Sequence, residues 1–362
     1  MPALPLFVTI KYLIMKIFSK VLALFLVLNF SLGYSQELGE FKPKEDSYKD
    51  KKLNEGSKKL YISSFNINFE IYKEAVDKKQ AGGFGRSVKS GAKAKAAIGL
   101  SSLDKDALQQ KADQLYTEFI NDVKKEGYEI ISAEEAGKTE TYKGWKNSSG
   151  PAIFETDMTG ILSVVPTGHS FYYKDRTAFT NTIQGFAKTP QNLSEDLDNA
   201  LIADISLVYV FTEVGNDWNI GNQAKVKIFV NYRLANNYTV SDENTSSGLT
   251  SFVDKSKQSV GLQSHVNFTR GKLKIGGSAA SQYLGYMKSD LEINGVLAKE
   301  KVAAYSTQTQ ATATLQNPIV IIRGSNYSEK TKWLEPDGVK YANGMYLAGN
   351  KFIKHHFNNI FK

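Results

Sequence analysis

Residues 104–127 carry the strongest periodic pattern in this chain, and this pattern constrains the fold more than any other feature. Apolar residues recur there every three or four positions, which is the spacing of one helical face. They are Leu108, Ala112, Leu115, Phe119 and Val123. The segment 101–104 fits a capping box, and Gly127 follows two lysines as a helix stop. The sequence therefore predicts an amphipathic helix that faces a core.

Strand patterns lie on both sides of this helix. In the segment 60–72, Tyr61, Phe65, Ile67, Phe69 and Ile71 alternate with smaller or polar residues, which predicts a strand with one apolar face. The segment 128–132 reads as a short buried strand, and 133–136 as the start of another helix. The first part of the chain is thus predicted to be a strand-helix-strand unit.

The second half is predicted to be rich in strands. The segments 205–214 and 224–234 are joined by turn-forming Gly and Asn residues and predict a long antiparallel hairpin. A short helix is expected over 194–203, further strands over 290–293, 311–315 and 318–323, and a terminal helix over 337–360. The apolar stripe of that terminal helix runs through Val339, Ala342, Met345, Ala348, Phe352, Ile353, Phe357 and Ile360. The expected fold class is α/β in the α+β sense, with a mixed sheet.

The amino-terminal region has the pattern of a signal peptide. Lys16 and Lys20 precede the apolar run 21–30, and small residues at 33 and 35 suit a signal peptidase. We expect residues 1–35 to be removed after Ser35, with Met15 as the true start. A membrane anchor is the alternative, but lysines interrupt every window of the about 20 residues that a spanning helix needs. The predicted organisation is a signal peptide (1–35), a charged flexible leader (36–59) and one α/β domain (60–362), with 205–323 its strand-rich portion.

Composition narrows the class of protein. The chain has a net charge of +8, and Lys11, Lys16 and Lys20 are the only charged residues before position 36, so processing would leave +5. This modest charge permits attraction to an anionic envelope surface but does not suit a nucleic-acid partner. The chain has no cysteine, which excludes disulfides, thiolate metal sites, a Cys nucleophile and a lipoprotein anchor.

A basic segment stands out at 78–95. It contains six cations, four glycines and no acid; the cations are Lys78, Lys79, Arg86, Lys89, Lys93 and Lys95. One interpretation is a flexible, solvated loop. The other is a contact for an anionic glycan, lipid head group or polymer, because spaced cations on a pliable backbone can adapt to spaced negative charges. The glycine spacing matches neither a phosphate-binding loop nor a dinucleotide fingerprint.

Motifs for catalysis or metal binding are not recognised in the sequence. His355 and His356 are adjacent on a predicted helix, where neighbouring side chains point about 100° apart, so they are not expected to serve one metal. His169 precedes Ser170, but the nucleophile elbow is missing and no acid is placed to orient the histidine. We expect no catalytic, cofactor-binding or metal-binding residues.

The order of elements resembles a known family pattern. The strand YISSFNINFEIY (61–72), the helix-to-strand segment DALQQKADQLYTEFINDVKKEGYEIISAEEA (106–136), the strand VKIFVNYRLANNYTVS (226–241) and the helix KFIKHHFNNIF (351–361) are similar to the curli-export pore family and to the amino-terminal domain of TolB. The resemblance covers about half of the chain after the signal peptide and implies an α/β periplasmic domain that assembles into rings. The lipoprotein Cys of the pore family is missing here, and no catalytic residue is carried over.

These observations together predict a non-enzymatic exported protein of the cell envelope. It would act in export, assembly or adhesion at the periplasm or outer membrane, as a homo-oligomer or within an envelope assembly. The alternative is a soluble periplasmic or secreted protein that binds an anionic glycan or lipid head group. No nucleic acid and no cofactor are expected.

Overall fold

A computed structural model describes residues 36–79, 92–156, 160–174, 189–215, 225–241, 259–271, 280–298, 301–305, 328 and 330–361. The chain divides into units 1–37 and 38–362, and only residues 36 and 37 of the first are described. The second unit has an α+β fold with mixed sheets and a carboxyl-terminal helix, as the sequence predicts. The rest of this section concerns that unit.

The strands are numbered in chain order. They are β1 (Pro43–Tyr48), β2 (Lys59–Glu70), β3 (Tyr72–Lys79), β4 (Ala92–Leu100), β5 (Glu129–Ile130), β6 (Lys146–Ser149), β7 (Ala152–Glu155), β8 (Ile161–Val165), β9 (Ser170–Tyr173), β10 (Leu201–Gly215), β11 (Lys225–Leu234), β12 (Asn237–Ser241), β13 (Ser259–Gln263), β14 (His265–Arg270), β15 (Ser281–Met287), β16 (Leu291–Glu292), β17 (Lys301–Tyr305) and β18 (Lys332–Leu334). The helices are α1 (Lys105–Lys125), α2 (Ala133–Ala136), α3 (Thr189–Asp196) and α4 (Gly338–Phe361), and a 3-10 turn spans Asp50–Leu53.

The main sheet has the strand order β1-β15-β14-β10-β2-β8-β7. Its centre is the long strand β10, which runs parallel to β2 on one side. On the other side β10 pairs first with β14 and then with β11, both antiparallel. The β10–β11 pair confirms the predicted hairpin strands, and the predicted inward face of β11 from Val226 to Leu234 is buried. The connection 216–224 lies outside the described residues.

Helices α1 and α4 pack together with the sheet to form the main core. The predicted stripe of α1 is buried at every position, and α4 begins after Asp337, whose side chain accepts a hydrogen bond from the Lys340 amide at 3.1 Å. Val339 is an exception to the predicted stripe, because it is exposed in the first turn. Gly349 lets α4 approach the sheet closely, since a Cβ there would lie 2.7 Å from the Tyr209 hydroxyl. Among the described residues, no helix is both long and apolar enough to span a membrane.

A bulge in β2 changes the predicted apolar face of that strand. The register to β10 shifts between Ile62 and Ser64, so Ser63 is the extra residue, and its hydroxyl donates to the Ala203 carbonyl at 3.0 Å. Leu60 and Ile62 therefore share the main core with Phe65, whereas Tyr61 joins a second cluster with residues of the α2 and α3 regions. Strict alternation wrongly placed Tyr61 beside Phe65, because one extra residue reverses the side-chain direction.

Three other predictions differ from the structure. The predicted flexible leader is partly ordered, because β1 pairs with β15 and Leu53 is buried. The helix predicted over 194–203 instead spans Thr189–Asp196, and β10 begins at Leu201. Helix α1 is capped by Asp104, whose side chain accepts from the Ala107 amide at 2.9 Å, and not by the predicted box that starts at Ser101. The strands predicted at 311–315 and 318–323 lie outside the described residues.

Candidate functional site

The basic segment is part of the β3–β4 hairpin. The antiparallel register places Lys78 directly opposite Lys93, and Lys79 opposite Ala92. Lys95 is also in β4, where its ammonium lies 2.8 Å from the Glu74 carboxylate. These four lysines thus belong to strands and not to a loop, and the charge of Lys95 is compensated. Arg86 and Lys89, the other two predicted contacts, lie outside the described residues.

The base of this hairpin is fixed by close packing. Ala75, Ala96 and Ile98 are buried in the main core. Gly99 lies against the Trp333 ring, where a Cβ would be 2.3 Å from a ring carbon, and β18 runs parallel to β4 at this point. The Tyr72 hydroxyl accepts a hydrogen bond from the Ser328 amide at 3.1 Å. The buried, closely packed base therefore connects the end that carries Lys78 and Lys93 to the main core.

A second polar cluster joins three neighbouring strands, β2, β10 and β14. Asp204 lies 3.4 Å from His265 and also accepts a hydrogen bond from Ser64. Burial opposes ionisation of both groups, but their mutual attraction outweighs it: the pKa of Asp204 is lowered and the pKa of His265 is raised. Ser64 bonds to the acid and not to the histidine, so this arrangement is an ion pair across strands and not a nucleophile with its base.

Glu70 is the most deeply buried acid of the sheet. Its carboxylate accepts hydrogen bonds from the Phe211 and Thr212 amides, both at 3.0 Å, from the Thr212 hydroxyl at 2.9 Å and from the Tyr238 hydroxyl. It lies where β10 leaves β2 and where the β10–β11 register shifts between Val210 and Thr212. The carboxylate thus satisfies backbone donors that the irregular strand leaves without a ladder partner.

His169 has a structural partner that the sequence did not reveal. Its Nε2 accepts a hydrogen bond from the Phe65 amide at 3.0 Å, just after the β2 bulge. Its ring is buried beside Phe65, Tyr116 and Phe171. Burial lowers the pKa of His169 to about 4, so the ring is neutral at pH 7. This nitrogen is engaged with the backbone and is not directed at Ser170 as a base would be.

The paired histidines of α4 lie close to a third potential ligand, which the sequence argument did not anticipate. His355, His356 and Glu45 each offer one potential ligand atom, and these three atoms lie within 4.8 Å of one another. The two imidazole rings are nearly perpendicular, with centroids 5.0 Å apart. The 100° rule describes the directions of the Cα–Cβ bonds, whereas the long imidazole side chains converge beyond them on Glu45 from β1. No sequence pattern linked these residues, because they come from opposite ends of the chain.

Comparison of the chain with protein-family models, curated proteins and solved structures found no match. The resemblance to the curli-export pore family and to TolB therefore rests on the sequence segments alone.

Proposed function

We propose that this chain is a non-enzymatic exported protein of the cell envelope that acts in export, assembly or adhesion, and that its β3–β4 hairpin contacts an anionic envelope component. An anionic glycan and an anionic lipid head group would both supply the negative charge that this contact needs. The observation that carries the proposal is the register that places Lys78 directly opposite Lys93. The signal-peptide pattern of residues 15–36 supports export.

The electrostatics of the hairpin differ between its two ends. Near the base, Glu74 compensates Lys95 within the fold. Farther along, the backbone register places Lys78 opposite Lys93, and like charges in directly opposed positions of a sheet are destabilising. The segment 78–95 has no acid of its own. An anion bound at this end would relieve the repulsion and would gain from several cations at once.

The remaining polar groups support a binding role over a catalytic one. Glu70 and Asp204 would be natural choices for acid–base chemistry, but both are engaged in bonds that hold strands together. His169 likewise serves the Phe65 amide. Chemistry at any of these groups would have to break a bond that the fold uses.

The test compares the chain with a variant in which all six predicted contacts are changed to Gln. Its matched control changes six exposed lysines elsewhere: Lys51, Lys52, Lys124, Lys125, Lys138 and Lys143. Binding is measured on vesicles containing phosphatidylglycerol and on purified envelope fractions, at low and moderate salt. We expect the hairpin variant to lose binding and its salt dependence, because exposed charges are screened within about 8 Å at physiological ionic strength. Binding equal to the wild type, or an equal loss in the control variant, would refute the proposed contact.

Self-association is a second candidate, favoured by the unequal edges of the main sheet. The edge strand β1 carries Pro43 and a run of charges, which discourage pairing with another chain. At the other edge, β7 pairs with β8, and Phe154 is 42% exposed there. A second copy that pairs along β7 would cover this ring. Native mass measurement of the wild type and of Phe154→Lys tests it: a monomeric wild type, or an oligomer that the change leaves intact, argues against this edge.

A further inference from the structure

The first strand and the last helix of the described domain meet at a cluster of metal-binding residue types. Glu45 comes from β1, and His355 and His356 from the last two turns of α4. One potential ligand atom from each lies within 4.8 Å of the others. Glu45 is exposed, His355 half-buried and His356 fully buried, so the cluster opens to solvent on one side.

The backbone of β15 makes room for this arrangement. Gly285 lies directly opposite Glu45 in the β1–β15 register. A Cβ on Gly285 would be 2.3 Å from Nδ1 of His356, so the imidazole occupies space that any other residue would fill. A glycine in the middle of a strand weakens the strand and often marks a close approach. Here the close approach brings the buried imidazole next to the strand that carries Glu45.

Two further side chains connect the three candidate ligands. The Tyr283 hydroxyl lies 2.8 Å from Nδ1 of His356 and donates to Oε2 of Glu45 at 3.4 Å. Nδ2 of Asn359 donates to the same carboxylate oxygen at 2.9 Å and lies 3.4 Å from Nε2 of His355. These bonds draw the Glu45 carboxylate toward both imidazole rings. A bound ion would replace any of them that uses the same nitrogen or oxygen lone pair.

The chemistry of the ligand set selects a class of ion. Two imidazoles and one carboxylate suit zinc and related divalent transition metals, whereas calcium and magnesium prefer oxygen ligands alone. Zinc binds such ligands at about 2.0–2.2 Å, so tetrahedral ligand atoms lie roughly 3.3–3.5 Å apart. Atoms at the full 4.8 Å limit would each have to move by about 1 Å, and rotation of the exposed Glu45 and the half-buried His355 side chains can supply most of that adjustment.

We propose that Glu45, His355 and His356 bind one divalent transition-metal ion of the zinc type, with a fourth position left for water. The ion would connect the edge strand β1 to the end of α4. Its role would be to fasten the beginning of the domain to its end. This site is separate from the β3–β4 hairpin and does not depend on the proposed anion contact.

Zinc binding to the tag-free chain provides the test, by titration calorimetry and by the visible absorption of bound Co²⁺. We expect one ion per chain, and a rise in melting temperature when zinc is added. Glu45→Gln and His355→Ala change side chains that are not fully buried, so both variants should fold, as circular dichroism will verify. Each should weaken zinc binding by at least about tenfold. His265→Gln removes a histidine elsewhere and should leave the affinity unchanged.

Two results would overturn the proposal. One is a wild-type chain that binds no zinc at about 100 μM and pH 7.5, which is a weak threshold for a site of three protein ligands. The other is a wild-type affinity for zinc in both Glu45→Gln and His355→Ala, with both variants folded. In that case the zinc would be bound by other groups.

Discussion

Protonation of His169 should make the fold sensitive to mild acid. The ring is buried, and its Nε2 accepts the Phe65 amide hydrogen bond, so the charged form would lose both solvation and that bond. Burial lowers the pKa of His169 from an ordinary value of 6.5 to about 4. Because the unfolded chain takes up this proton more readily, the stabilisation is present above pH 6.5 and is lost as the pH falls toward 4.

The size of the effect follows from the two pKa values. At 1.36 kcal/mol per pH unit, the difference between 6.5 and about 4 corresponds to about 3 kcal/mol of unfolding free energy, of which about 2 kcal/mol is lost by pH 5. The pKa of His356 is also lowered to about 4, mainly by burial, so the wild type carries a second contribution of the same sign. His265 acts in the opposite direction, because its pKa is raised and its stabilisation is lost as the pH rises above 6.5.

A difference measurement isolates His169 from these other groups. We expect His169→Gln to be less stable than the wild type at pH 7.5, but to lose about 2 kcal/mol less between pH 7.5 and pH 5. Urea unfolding at half-unit pH steps gives the free energies. Ile228→Ala is the control, because Ile228 is a buried apolar side chain of β11 that does not titrate, and this change should lower stability while keeping the wild-type pH slope. Parallel slopes for the wild type and His169→Gln would refute the assigned pKa.

Two further substitutions test the core and the sheet junction. Leu115→Asp should destabilise the fold by about 4 kcal/mol or more, because it places an unpaired charge on the buried face of α1. The control Glu126→Gln changes an exposed residue and should be tolerated. An unchanged melting temperature for Leu115→Asp would mean that this face is not buried. Glu70→Gln should lower the free energy of unfolding in urea by about 1–3 kcal/mol, because the amide nitrogen of Gln cannot accept hydrogen bonds from the Phe211 and Thr212 donors. The control Glu292→Gln changes an exposed acid. A smaller loss of stability for Glu70→Gln than for this control would contradict the role given to the Glu70 carboxylate.

Local patterns predicted the elements whose residues repeat with a regular period. Helices α1 and α4 and the strands β2, β10 and β11 were visible in this way, because each has a long run or repeat of apolar residues. Strand β1 was not visible, because an edge strand buries little and its charged sequence reads as disorder. The bulge at Ser63 was also hidden, since alternation assumes that no residue is inserted.

The candidate sites were predicted less well than the fold, for a related reason. The basic hairpin is contiguous in sequence, so its composition could be read directly. The clusters around Glu70, Asp204 and Glu45 each bring together residues from distant strands, and no spacing rule connects such residues before the topology is known. Gly285 is a local feature of the sequence that points to the Glu45 cluster, because a glycine within a strand often marks the close approach of another group, here the His356 ring.

The pairing of early with late strands has a consequence for how the domain forms during synthesis. Strand β1 pairs with β15, β2 pairs with β10, and the Asn54 side chain bonds to the Ile360 carbonyl. A chain made from its amino terminus cannot complete any of these contacts until the distant partner has emerged, and α4 comes last. Such long-range closure makes folding slow and exposes apolar surface to proteases and to other nascent chains. Removing residues 338–362, which include α4, should therefore leave a chain that a cell degrades, even though the residues of β1 to β18 are all present.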